Sequence, residues 1–80
     1  MEREYPIIYF KMEKEKEIVQ ELVEIRKSLN LTQKEVYERL NWRQQKMSLL
    51  ERNKSVPTLS TLDALASAYG YTLKLVKNGK

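Results

Sequence analysis

Apolar residues recur along "MEKEKEIVQELVEIRKSLN" at Ile18, Leu22, Ile25 and Leu29, spacings of four, three and four that set them on one face of an amphipathic helix. Val19 and Val23 widen that face, and Glu17, Glu21, Glu24 and Lys27 form a solvated opposite one, so the segment reads as scaffold. A second helix is predicted from about Gln33 to Leu40. Thr32 and Glu35 have the spacing of a capping box, in which each side chain satisfies a backbone N–H at the helix start, and Leu31 and Val36 have that of a hydrophobic staple. Asn41 tolerates the left-handed backbone that a sharp turn between helices needs. Met47 and Leu50 mark the inward face of a short third helix ending near Arg52 and Asn53. The segment "KSVPT" then breaks the chain at Pro57. Thr58 can cap a fourth helix whose inward face is Leu59, Leu62, Leu65, Ala66 and Tyr69, with Gly70 as its stop.

The ends follow a different period. "YPIIYF" is short, rich in Ile and aromatics and broken by a proline, which suits an edge strand or extended arm. The tail "YTLKLVKNGK" alternates Leu73, Leu75 with Lys74, and Val76 with Lys77, closer to a strand's period than a helix's. The chain thus divides into an arm over residues 1–12, a helical domain over 13–70 and a strand and tail over 71–80. The fold class expected is all-α: a small helical bundle with short N- and C-terminal β-strands.

Composition narrows the chemistry. At 80 residues the chain fits one domain that buries only about 60% of its unfolded surface, so its stability rests on packed helices or on a partner subunit. With no Cys and no His, disulfides, thiolate or imidazole zinc sites and the nucleophile–base pairs built on those residues are excluded. No Gly-rich phosphate loop and no metal-ligand cluster is visible, and the acids sit on solvated helix faces, so neither an enzyme nor a cofactor is expected. No apolar run approaches the roughly 20 residues of a membrane span, and "MEREYPIIYF" lacks the layout of a signal peptide; the expected location is the cytoplasm. Net charge is +4, unevenly spread: six Lys/Arg face seven Glu in residues 1–30, and nine Lys/Arg face four acids in residues 31–80. A basic half favours a polyanionic partner, although a solvated basic surface would look the same by charge alone.

Residues 25 to 70, through "IRKSLNLTQKEV", "ERLNW" and "MSLLERNKSVPTLSTLDALASAYG" in an unbroken order, resemble the Cro and phage-repressor (Xre-type, lambda-repressor-like) helix-turn-helix family. The resemblance implies double-stranded DNA as partner, no cofactor, and a role as a transcriptional repressor that sets its recognition helix, near residues 43–51, in the major groove. Arg43, Gln44, Gln45, Lys46 and Ser48 are the outward residues of that helix. A Gln amide matches the N6 and N7 edge of adenine, while Arg and Lys favour guanine or phosphate. By resemblance Gln33 would hold a phosphate and brace the glutamines, and Arg52, Asn53, Lys54 and Ser55 would follow the DNA backbone. Glu51 and Arg52 could instead form a surface pair, and Trp42 is expected to pack over the turn. Tyr37 and Asn41 stand where family members commonly have alanine and glycine, and Arg43 replaces the usual small capping residue.

A terminal strand in place of a fifth helix also resembles antitoxins of the HigA and HipB type, which implies a toxin protein as an alternative partner. Because one motif reads too few bases for a unique site, a homodimer on a palindromic operator is expected. Its interface would be a sheet of arm and tail burying Ile7, Tyr9, Leu73 and Leu75 on one face, the rival arrangement being arm paired with tail inside one monomer.

Overall fold

In the computed structural model, which describes residues 6–10 and 15–75, the periodicities become six elements: β1 (Ile7–Phe10), α1 (Glu15–Ser28), α2 (Gln33–Arg39), α3 (Gln44–Glu51), α4 (Leu59–Ala68) and β2 (Thr72–Leu75). The boundary expected at residues 12 and 13, the start of the first helix before Glu15, and Val76 and Lys77 of the tail lie outside the described residues, as do the side chains of Phe10 and Leu75. Among the described residues the chain is mostly helical with two short strands, the small helical bundle expected from the apolar spacing, in the arrangement that the resemblance to helix-turn-helix proteins implies. Among the described residues no helix is long and apolar enough to cross a membrane.

One apolar core joins the helices: Ile18, Val19, Leu22 and Val23 of α1, Val36 of α2, Met47 and Leu50 of α3, Leu62, Leu65 and Ala66 of α4, and Tyr69 just beyond it, with Ile8 of β1. Leu22, Met47, Leu62 and Leu65, at 2% exposure or less, lie at its centre. Two expected faces are corrected. On α1 the buried face is centred on Val19, Leu22, Val23 and Arg26; Ile25 is half-buried, and Leu29, one residue past the helix, is 46% exposed. On α4, Leu59 is 42% exposed. It is the first helical residue, and side chains lean toward the helix N-terminus, so this one projects past the edge of the core.

The helix starts follow the expected chemistry where a capping side chain exists. Thr32 accepts from the backbone N–H of Glu35 at 3.1 Å, and the Glu35 carboxylate accepts from that of Thr32 at 2.8 Å, completing the capping box. That hydrogen bond from the Thr32 backbone, with a further one from its hydroxyl, holds the Glu35 carboxyl below its ordinary pKa. Thr58 caps α4 through the N–H of Thr61. Arg43 precedes α3 with no side-chain cap bond, as its side chain dictates.

All four helices end alike. The residue two beyond the last helical one is left-handed, at φ 59° for Asn30, 61° for Asn41, 57° for Asn53 and 85° for Gly70. In each case the next N–H returns to the carbonyl five residues earlier: Leu31 to Arg26, Trp42 to Tyr37, Lys54 to Leu49 and Tyr71 to Ala66, at 2.8 to 3.2 Å. This is the Schellman motif. Three asparagines and one glycine fill it because their left-handed conformation costs least.

The strands pair with each other in parallel within the chain, Ile7 opposite Thr72, Ile8 opposite Leu73, Tyr9 opposite Lys74 and Phe10 opposite Leu75. Parallel neighbours require a crossover, which the four helices between them provide. This register corrects the expectation that Ile7, Tyr9, Leu73 and Leu75 share one face. Residues directly opposite point the same way, so Ile7 and Tyr9 group with Thr72 and Lys74, while Leu73 groups with Ile8 on the other face. Ile8 is buried and Leu73 packs against the core, whereas Ile7 and Tyr9 look outward at 44% and 63% exposure.

Candidate nucleic-acid interface

The candidate interface rests on α2 and α3, which pack against each other across the turn at Asn41 and Trp42. With asparagine at the left-handed position the turn closes as a glycine turn would, and Tyr37 is accommodated half-buried at the margin of the core. Met47 and Leu50 anchor the inner side of α3.

A buried cation fixes the far end of α3. Arg26 grips the Glu51 carboxylate with two N–H groups, Nε to Oε2 at 2.7 Å and Nη2 to Oε1 at 2.9 Å. Its Nη1 donates to the Leu31 carbonyl at 2.7 Å. Gln33 Nε2 donates to Glu51 Oε1 at 2.7 Å. Three segments therefore meet on one carboxylate: the last turn of α1, the first residue of α2 and the last residue of α3. The Arg26 and Glu51 side chains are only 10% and 7% exposed. The Glu51 carboxylate raises the Arg26 pKa, against the opposing effect of burial, so the guanidinium remains charged. The Tyr69 hydroxyl lies buried nearby with no hydrogen-bond partner. Burial, reinforced by the Glu51 charge and opposed by Arg26, pushes the phenol above its ordinary pKa.

The outer side of α3 is free for a ligand. Arg43, Gln44, Gln45 and Lys46 are all exposed, and Ser48 is half-buried one turn after Gln44. At the far end Arg52 is exposed and its Nε donates to the Ser48 carbonyl at 3.4 Å, while Lys54 and Ser55 are exposed and Asn53 half-buried in the Schellman turn. One expected contact changes partner, and one alternative pairing is replaced. The Gln33 amide braces Glu51 rather than the glutamines, because the first residue of α2 lies against the end of α3 and not its start. Glu51 pairs with buried Arg26 rather than with Arg52.

Trp42 packs half-buried over the turn, and the Lys46 ammonium sits 4.3 Å from its ring centroid in a cation–π contact. Asn41, Trp42, Arg43, Gln45, Lys46 and Leu49 line an open hollow of about 440 Å³ beside the outer face. A smaller hollow of about 200 Å³ brings Lys16 of α1 to Asn53, Lys54, Ser55, Val56 and Pro57. Lys16, Arg26 and Leu49 were not among the residues the sequence singled out. Arg26 could have been: it continues the spacing of Val19, Leu22 and Val23, and a cation on a buried face must have a partner. Lys16 belongs to the acidic half by sequence and joins the basic surface only through folding.

Two short helices across a left-handed turn, the second anchored inside by apolar residues and polar outside, define a helix-turn-helix protein. The family model for HTH_3, a helix-turn-helix family of Cro/C1 type, matches residues 22–76, well over half of the chain, and the protein belongs to that family. It is a family of DNA-binding transcription regulators. No curated protein and no solved structure matches the chain.

Proposed function

We propose that this protein is a sequence-specific repressor that sets α3 in the major groove of double-stranded DNA. The observation that carries this reading is the run Arg43 to Lys46, four consecutive exposed polar side chains at the start of a helix whose other end is locked by Arg26, Glu51 and Gln33. A groove about 12 Å wide accepts such a helix end-on, and locking α3 fixes the aim of its leading residues before DNA arrives. Gln44 and Gln45 read adenine edges. Arg43 and Lys46 take guanine or phosphate, and Ser48 follows one turn later. Arg52, Asn53 and Lys54 lie along the sugar–phosphate backbone, with Gln33 as a phosphate contact that also braces α3.

Selection of bound duplexes from a random pool tests this directly. It should return a palindromic site with adenines at positions lost selectively in Gln44→Ala or Gln45→Ala, each at a cost of about 1–3 kcal/mol. Affinity for that site should fall steeply with salt, and the log–log slope should shrink by about one for each of Arg43, Lys46, Arg52 and Lys54 that contacts phosphate and is changed to alanine. Binding indifferent to salt and sequence would end the proposal.

A palindrome calls for two copies, and we assign the outward face bearing Ile7 and Tyr9 to the contact between them. The same exposed face supports a second reading, an antitoxin that binds a toxin protein and represses its own operon. Purification of the chain alone and together with the product of an adjacent gene separates the two.

A further inference from the structure

We propose that Leu49 and Trp42 form an apolar subsite for the C5-methyl group of a thymine, a specificity element beside the glutamines. The inference rests on the DNA-reading role of α3. Leu49 follows Gln45 by one helical turn, so the two side chains are neighbours on the side of α3 away from Leu50 and Met47. A half-buried leucine there has no part in the buried core, in which α3 is represented by Met47 and Leu50 alone. It lines the hollow of about 440 Å³ with the half-buried Trp42. Lys46, whose ammonium stands over the indole ring at 4.3 Å, adds its aliphatic stem to that wall.

The rim of the same hollow identifies its occupant. Arg43 and Lys46 are exposed cations there, and Gln45 offers an amide, so an apolar floor is ringed by groups suited to a polyanion carrying hydrogen-bonding edges. Among the four bases, only thymine presents an apolar group, its methyl, in the major groove. A Gln45 amide paired to an adenine would leave Leu49, one turn along the same face, beside a neighbouring base pair. The preference encoded is for thymine at that step.

Replacing thymine by deoxyuridine removes the methyl and nothing else. Each thymine of the selected site is replaced singly, and binding of the full chain is followed by anisotropy of labelled duplex, with fluorescence of Trp42, the single tryptophan, as a second signal. At one position per half-site, replacement should weaken wild-type binding about three- to fivefold, the effect of burying one methyl group. The same replacement should leave Leu49→Ala unaffected. Leu49→Ala should match the wild type on the uracil duplex, which also shows that the variant is folded. Tolerance of uracil at every position, or the same loss in wild type and Leu49→Ala, would overturn the subsite while leaving DNA reading intact. Failure to bind any duplex would overturn both.

Discussion

Arg26 and Glu51, twenty-five positions apart, meet in a two-bond ion pair of 2.7 and 2.9 Å at the junction of α1, α2 and α3. Two charges taken this far from water are stable only because both are well paired: the Glu51 carboxylate accepts from Arg26 and Gln33, and all three Arg26 nitrogens donate, Nη1 to the Leu31 carbonyl. The pair contributes less to net stability than to placement. Glu51 is the last residue of α3, so the pair sets the angle at which Arg43 to Lys46 leave the surface.

Glu51→Met should therefore destabilise the fold by about 3 kcal/mol, because it leaves the Arg26 guanidinium buried and unpaired. Arg26→Met should cost a similar amount for the mirror reason. Combined as Arg26→Met with Glu51→Met, the changes should cost clearly less than their sum. Urea unfolding of the four proteins measures this, and strictly additive losses would show that the pair does not act as a unit.

The common ending of the four helices makes a separate prediction about residue exchange. Asn41→Gly should be neutral within a few tenths of a kcal/mol or mildly stabilising, since its φ of 61° suits glycine, whereas Asn41→Ala should cost about 1–2 kcal/mol. At Gly70 a Cβ would meet nothing within 4 Å, so only its φ of +85° opposes substitution. Gly70→Asn should then be milder than Gly70→Ala, in the order that the other three helix ends use. Thermal unfolding reports the ranking, and Gly70→Asn falling below Gly70→Ala would refute it.

What was legible in the sequence were features that one segment carries by itself. The capping box at Thr32 and Glu35, the left-handed Asn41, the inward pair Met47 and Leu50 and the Thr58 cap each follow from a few neighbouring residues. Features decided by distant partners were not. Arg26 looks like any surface cation until Glu51 is placed against it, and Leu59 matches the α4 period yet falls past the edge of the core. The sheet failed for the same reason. A period of two allows either face to be inward, and only the pairing with Thr72 to Leu75 and the packing of Ile8 choose between them. The side chains Arg43 to Lys46, expected outside, are exposed, while the Gln33 contact went to the partner that tertiary packing set nearest.

Tyr69 predicts an alkaline transition. Its hydroxyl is buried without a partner, and burial raises its pKa above the ordinary value of about 10. The sign follows from linkage: with the folded pKa raised, the unfolded chain loses this proton first, so stability is intact below about pH 10 and declines as pH climbs beyond it toward the folded value. In a spectrophotometric titration one of the five tyrosines should resist ionisation until the helical signal is lost. Tyr69→Phe should abolish that late step and leave neutral-pH stability unchanged or slightly higher, since the orphaned hydroxyl goes with it. If all five tyrosines ionise together near pH 10 with the helices intact, the burial argument is wrong.

The outward face of the sheet carries the last prediction, which concerns assembly. A pair of four-residue strands is marginal in water, and among the described residues β1 and β2 pair only with each other, which leaves the sheet two outer edges. Ile7 and Tyr9, 44% and 63% exposed, add an apolar surface that a second copy would cover. Ile7→Lys with Tyr9→Lys should weaken self-association at least tenfold in sedimentation while the helical signal stays unchanged, because both side chains point away from the core. Ile8→Ala and Leu73→Ala should do the reverse. They remove atoms from the inner face, so unfolding should move to lower urea, by about 2–4 kcal/mol for the buried Ile8 and less for half-buried Leu73, before association is affected. If the doubly charged variant associates as tightly as the wild type, the contact lies elsewhere; if the wild type sediments as a monomer at every concentration, operator symmetry must be met by assembly on the DNA itself.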